Sequence, residues 1–143
     1  EMIDSDILIS KAASIRKHLN RVAEKIPEDL EHFLGNLDAQ EIILFNLQMA
    51  IQNCIDIGAH IVSYEGLGVA GSTNEVFYIL EENGYIDVDL TERMISAVGF
   101  RNLMVHEYDR LNIKRVFEIA CKDTQDLDRF VKAILSKANM EFE

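Results

Sequence analysis

Apolar residues fall at Ile7 and then at Ala12, Ile15, Leu19, Val22 and Ile26, the last five spaced by threes and fours. That spacing lays one stripe along an α-helix and predicts a first helix over Ile3 to Lys25, which Pro27 ends. Asp38 with Glu41 three residues on reads as a capping box, opening a second helix that runs to about Tyr64. Ser72 with Glu75 caps a short helix to about Glu82, stopped by Gly84. Asp89 with Glu92 forms a third box, before a helix through Met94, Val98 and Leu103. A last long helix over about Asn112 to Ala138 carries Val116, Ile119, Ala120, Leu127, Val131 and Ile134 as its stripe. With one proline and little β-branched alternation, the chain is predicted to be all-α. Three long helices, two shorter ones and tight connections make an antiparallel bundle. No repeat, low-complexity stretch or linker divides it, so a single domain over 1–143 is expected.

The second helix departs from the usual one-sided pattern. Ile43, Phe45, Leu47, Ala50, Ile51, Ile55, Ile57 and Ile61 leave it apolar on most sides. At about 100° per residue, Asn46, Asn53, Asp56 and His60 fall within roughly 80° of one another. They form a polar stripe in which Asp56 is the only formal charge. Two readings stand: a narrow solvent edge, or support for a site, since solvent edges usually carry Lys and Glu. An Asp56–His60 metal pair would need further ligands that the sequence does not offer, so no metal is expected.

Composition bounds the class. Of the 143 residues 48% are hydrophobic, which excludes a disordered chain. No apolar run approaches the roughly 18 residues of a membrane span, so no membrane partner is expected. Glu1 to Ser10 holds three acids and no base, unlike a signal peptide. Cys54 and Cys121 each sit inside an apolar helical pattern, suggesting a reduced, cytoplasmic protein without a disulfide framework. The net charge of −11 argues at first against a nucleic-acid partner. It is unevenly spread. Residues 11–25 net +4, residues 26–92 hold 13 acids and no Lys or Arg, and residues 93–115 net +3. Both basic stretches suit ordinary solvated helix faces, or a basic site within a broad acidic surface.

Two motifs compete for attention. Gly66-Leu67-Gly68-Val69-Ala70-Gly71 matches G-x-G-x-x-G, but it follows a helix and no parallel strand precedes it. It is an inter-helix loop, not a dinucleotide fingerprint. Arg101-Asn102-Leu103-Met104-Val105-His106-Glu107-Tyr108 is more informative. Its R-x4-H-x-Y pattern resembles the signature of HEPN-domain ribonucleases, specifically the HepT-like toxins of prokaryotic toxin–antitoxin pairs. Asn46-Leu47-Gln48, Asn53-Cys54-Ile55-Asp56-Ile57 and His60-Ile61 resemble that family's second helix, and Val98-Gly99-Phe100 resembles its approach to the motif. The resemblance spans about Ile42 to Phe117 in detail. Where relatives often carry a proline after the loop glycines, this chain has Val69-Ala70, a change that bears on loop rigidity.

The resemblance implies a HEPN-like four-helix core with a short extra helix, and an endoribonuclease that needs no metal or other cofactor. Its motifs would meet at a homodimer cleft. Arg101 and His106 would be catalytic, with Asn102, Asp56, Asn53 and His60 supporting. Tyr108 would be the residue to which a nucleotidyltransferase antitoxin (MntA-like) adds AMP, neutralising the toxin. The chemistry suits these residue types. Attack of a 2′-OH on the adjacent phosphate needs a base and an acid, and histidine, with an ordinary pKa of about 6.5, serves as either. Arginine offers a planar fork of donors to the charge that builds on the phosphate. One Arg and one His are half a site, and a two-fold dimer supplies the rest. On a continuous helix Arg101 and His106 would sit about 140° apart, so the helix is expected to loosen near Val105. The plainer alternatives are a helix-terminal His facing the dipole and a surface Arg, with Tyr108 merely packed at the helix end. A different class also fits the acidic surface: a non-catalytic accessory subunit presenting substrate to a nucleotidyltransferase. The complete Arg101, His106 and Tyr108 set favours the enzyme. RNA binding should be weak away from the motif and sensitive to salt.

Overall fold

The computed structural model describes residues 5–138, and among them no strand occurs. The expected start of the first helix at Ile3 lies outside the described residues. Helix α1 spans Ser5–Lys25 and buries Leu8, Ala12, Ile15 and Val22, whereas Ile7 is 39% exposed. The Pro27 ring ends it, and beyond it comes a short helix that periodicity did not predict. This is α2, Leu30–Leu34, capped by the Asp29 side chain, which accepts from the His32 N–H at 2.9 Å. Its one buried residue, Phe33, packs against Phe117 with ring centroids 5.4 Å apart.

Helix α3, Leu37–Tyr64, is the axis of the bundle, contacting α1 most extensively. Its N-cap is Asn36, whose side chain accepts from the Ala39 N–H at 3.0 Å, so the expected box at Asp38 lies inside the first turn. Asp38 there faces the helix dipole rather than capping it. By length and composition α3 could cross a membrane, contrary to the expectation that no such run exists. More than half of that stretch is buried inside the molecule, as for the core helix of a folded bundle.

Helix α4, Thr73–Glu82, has the expected Ser72 cap, and Gly84 beyond it takes φ +79°, a left-handed turn that glycine accommodates. It crosses α3 closely at Gly58, where an added Cβ would lie 2.8 Å from Val76 Cγ1. Helix α5, Val88–His106, is capped by Asp87, whose Oδ1 accepts from the Leu90 N–H at 2.8 Å, two residues before the expected Asp89. A single 3-10 turn, Tyr108–Arg110, comes next.

The predicted last helix is three pieces. Asn112 caps α6, Ile113–Glu118; a π-helical segment spans Ile119–Asp123; and α7 runs Thr124–Lys137. A π turn holds an extra residue, which rotates the downstream helix by roughly 100° and lets both flanking stripes, through Val116 and through Phe130 and Ile134, reach one core. Phe77 and Phe130 meet edge-on there, 5.5 Å apart.

Candidate active site

The C-terminal half of α5 is anchored by Val98 and Met104, both buried, which turns Arg101, Asn102, Val105 and His106 towards the surface. Arg101 donates through Nη1 to Asn102 Oδ1 at 2.9 Å, while its Nε is shut away from solvent without a hydrogen-bond partner. His106 is the last residue of the helix. The Glu107 N–H still reaches the Leu103 carbonyl at 2.9 Å, so the α-helical ladder holds past Val105. The expected loosening there does not occur, because the turn completes its backbone bonds before Glu107 leaves helical geometry at φ −139° and ψ 49°. Five residues on an intact helix put Arg101 and His106 about 140° apart around the axis and about 7.5 Å along it. One protomer therefore presents them in different directions. Immediately beyond, Arg110 donates through Nη1 to Glu107 Oε1 at 2.7 Å and the Leu111 N–H bonds to the Tyr108 carbonyl at 3.1 Å, framing a turn on which Tyr108 is 54% exposed.

The polar stripe of α3 lies elsewhere. His18 Nδ1 and Asn46 Oδ1 are 2.7 Å apart; Asn53 Nδ2 donates to Ser14 Oγ at 2.9 Å; Lys11 Nζ reaches Asp56 Oδ2 at 3.2 Å and Asn53 Oδ1 at 3.5 Å. Partner numbers rise on α1 as they fall on α3, so the two helices run antiparallel and share a polar seam. Asn46 and Asn53 are buried, so the stripe is not a solvent edge. Among the described residues none of Asn53, Asp56 and His60 bonds to Arg101 or His106. The sequence signal for this seam was available: Lys11, Ser14 and His18 recur at i, i+3 and i+7 on α1. His60 stacks on Tyr64, centroids 5.5 Å apart, and its Nε2 is buried without a partner. Asp56 is engaged by Lys11 and by Gln52 Nε2 at 2.9 Å. Among the described residues one exposed group, Glu28, Asp29 and His32, has metal-ligand proximity, with Asp29 capping α2 and bonded to His32 Nδ1 at 2.7 Å. Those bonds from His32 hold the Asp29 carboxyl below the usual carboxylate range.

A family profile described as ribonuclease HepT-like matches residues 15–134, nearly the whole described bundle and all of the Arg101 to Tyr108 stretch. The chain belongs to the HepT-like family. This HepT-like chain is 31% identical over 130 residues to the mRNA nuclease HepT of Shewanella oneidensis, covering 91% of this chain and 97% of that protein. It is 27% identical over 134 residues to the tRNA nuclease HepT of Aphanizomenon flos-aquae, covering 94% and 91%. Its fold superposes on a solved tri-AMPylated Shewanella oneidensis HEPN toxin in complex with MNT antitoxin with a TM-score of 0.86, at 30% identity, covering 92% of this chain and 98% of that one. The helical architecture is that of the HEPN toxin structure it matches. The antiparallel all-α architecture predicted from the sequence holds.

Proposed function

We propose that this HepT-like chain, as one HEPN-like domain over 1–143, is the endoribonuclease toxin of a toxin–antitoxin pair. It acts as a homodimer in the cytoplasm and needs no metal. The observation that carries the reading is the intact end of α5: Arg101 and His106 diverge within one protomer, so a site with two acid–base groups and a phosphate clamp requires a second copy. In that cleft one His106 takes the proton from a ribose 2′-OH. The 2′-oxygen bonds to phosphorus, the bond from phosphorus to the 5′-oxygen breaks, and the partner's His106 protonates that leaving oxygen. The products are a 2′,3′-cyclic phosphate and a free 5′-OH. Arg101, oriented by Asn102, forks onto the non-bridging oxygens as charge builds. Asn53 and Asp56 support this by holding α3 against α1, and His60 by its stacking on Tyr64 within α3. Tyr108, exposed on its turn, is the AMP acceptor: its phenol oxygen attacks the α-phosphorus of ATP held by an MntA-like nucleotidyltransferase antitoxin, and pyrophosphate leaves. The attached adenylate then occupies the phosphate clamp two residues away from His106.

The reading is supported by the nuclease names of both relatives and by the AMPylated toxin whose fold this chain shares. The test is RNA cleavage by the purified dimer in excess chelator, with end-group analysis of the products. Cyclic phosphate ends are expected. No cleavage of any RNA, or cleavage abolished by chelator, would overturn the assignment.

A further inference from the structure

Helix α5 does more than carry the motif. Its preceding turns form one wall of a cleft of about 380 Å³, whose opposite wall is the run from α6 through the π segment into α7, and whose floor is α3. The volume is in the range of small-molecule sites. The lining is mixed: Ala97 and Phe100 give it an apolar side over the buried Leu47 and Ile51, and polar side chains make up the rest. The rim carries Arg93 and Arg115, but each arginine is already paired within the chain, Arg93 with Asp126 at 3.8 Å and Arg115 with Asp123 at 3.6 Å. These pairs and those of Arg129 with Asp89 and Asp126 also occupy the rim's aspartates, so Glu92 is the one lining carboxylate without an ion pair among the described residues. A phosphate gains nothing from such a rim. A flat, neutral ring with hydrogen-bond donors fits it: the apolar side at Ala97 and Phe100 takes the ring face, and the Glu92 carboxylate, which only accepts, takes N–H groups. Two further features set the cleft apart from a packing defect. Its wall includes Ile119 and Asp123 at the two ends of the π segment, a distortion often found at functional sites. And Phe100 directly precedes Arg101, so the cleft's wall and the proposed phosphate clamp are adjacent along α5, with Arg101 itself outside the lining.

We infer that this cleft is a nucleobase subsite of the RNA substrate, taking a base next to the scissile phosphate and favouring adenine, cytosine or guanine over uracil. The inference rests on the ribonuclease reading above and names what that site recognises. The three favoured bases present exocyclic amines to Glu92. Uracil presents two carbonyls and a single ring N–H, and an oxygen would face the Glu92 carboxylate.

Two measurements on the full-length dimer separate this subsite from the activity itself. Titration with AMP, CMP, GMP and UMP, followed by amide and methyl chemical shifts, should show at least threefold weaker binding of UMP and shifts centred on Ala97, Phe100 and Ile119. Ala97→Trp, which fills the cleft, should abolish this binding. Phe100→Leu, which keeps an apolar side chain, should weaken it about fivefold. In cleavage of short oligonucleotides the same variants should raise KM with kcat kept within about twofold, and oligouridine should be the poorest substrate. Equal affinity for all four monophosphates, or binding that survives Ala97→Trp in a folded protein, would overturn the subsite even if RNA is cut normally. Absence of cleavage by the unaltered protein would instead strike the ribonuclease reading, and the monophosphate titration would still decide whether the cleft binds bases.

Discussion

Arg110 donates to Glu107 at 2.7 Å across the 3-10 turn that bears Tyr108, so the proposed acceptor tyrosine stands on a turn held by an ion pair from its own flanks. Both partners are largely exposed, at 78% and 46% of the side chain, and an exposed pair contributes at most about 1 kcal/mol. Arg110→Ala should therefore slow adenylylation of Tyr108 by about two- to fivefold, an effect that shrinks in high salt. RNA cleavage by the unmodified protein should stay within twofold. Incorporation of labelled AMP in the presence of the antitoxin measures it, and an unchanged rate would show that the pair does not order the turn.

The divergence of Arg101 and His106 on one helix makes a sharper demand. His106→Ala should lower cleavage by about 10²–10⁴ and Arg101→Ala by about 10²–10³. The decisive species is a heterodimer of one unaltered chain and one His106→Ala chain, isolated through two different tags. A composite cleft needs both histidines, so this heterodimer should lose far more than half the activity. Retention of about half would mean that each protomer carries a complete site.

The contiguous stretch from Arg101 to Tyr108 was legible because its residues are near neighbours in sequence, and the helices were legible because their stripes are long. Caps were displaced by two residues at both Asn36 and Asp87. Each lies beside another acceptor with a Glu at the right spacing, and only the extended backbone at the true cap separates them. Helix α2 has one buried residue, too few for a periodic signal. The π segment was invisible because Ile119, Ala120 and Leu127 read as a plausible unbroken stripe. The pattern of Asn53 and Asp56 suggests support for the motif on α5, yet their partners, Lys11 and Ser14, stand on α1. A polar stripe declares that it needs a partner without declaring which helix supplies it.

That seam gives a prediction separating structure from chemistry. Asn53→Ala leaves Ser14 Oγ without its donor and Lys11 with one acceptor fewer, at a cost of about 1–2 kcal/mol in a buried position. The melting temperature should fall by about 2–6 °C for a chain of this length. At temperatures where the variant remains folded, kcat should match the unaltered protein. A tenfold loss of kcat without a stability change would place Asn53 in the catalytic machinery instead.

Gly58→Ala tests the close approach of α3 and α4. The added Cβ would stand 2.8 Å from Val76 Cγ1 and 3.2 Å from Leu80 Cδ1, so both side chains must move. Overpacking costs about 1–3 kcal/mol, offset by up to about 1 kcal/mol from alanine's better helix propensity. Net destabilisation of about 1–2 kcal/mol is expected in denaturant melts, and Val76→Ala should relieve part of it in the double variant. Additive losses would mean that the helices separate as bodies.

The two cysteines should differ in both reactivity and their effect on stability. Cys54 is fully enclosed in α3, and burial, with a lesser contribution from the nearby Asp56 charge, pushes its thiol far above the ordinary value of 9.0. Cys121 is exposed on the π segment. A thiol reagent at pH 8 should label Cys121 in the folded protein and reach Cys54 only on unfolding. Because the folded thiol holds its proton more tightly than the unfolded one, its contribution to stability is complete below about pH 9. Above that pH the unfolded chain ionises first, so stability falls by about 1.4 kcal/mol per pH unit from this group. The difference between unaltered protein and Cys54→Ala in urea melts from pH 8 to 10 should narrow accordingly. A constant difference across that range would mean that Cys54 ionises as readily folded as unfolded, and that the interior of α3 admits water.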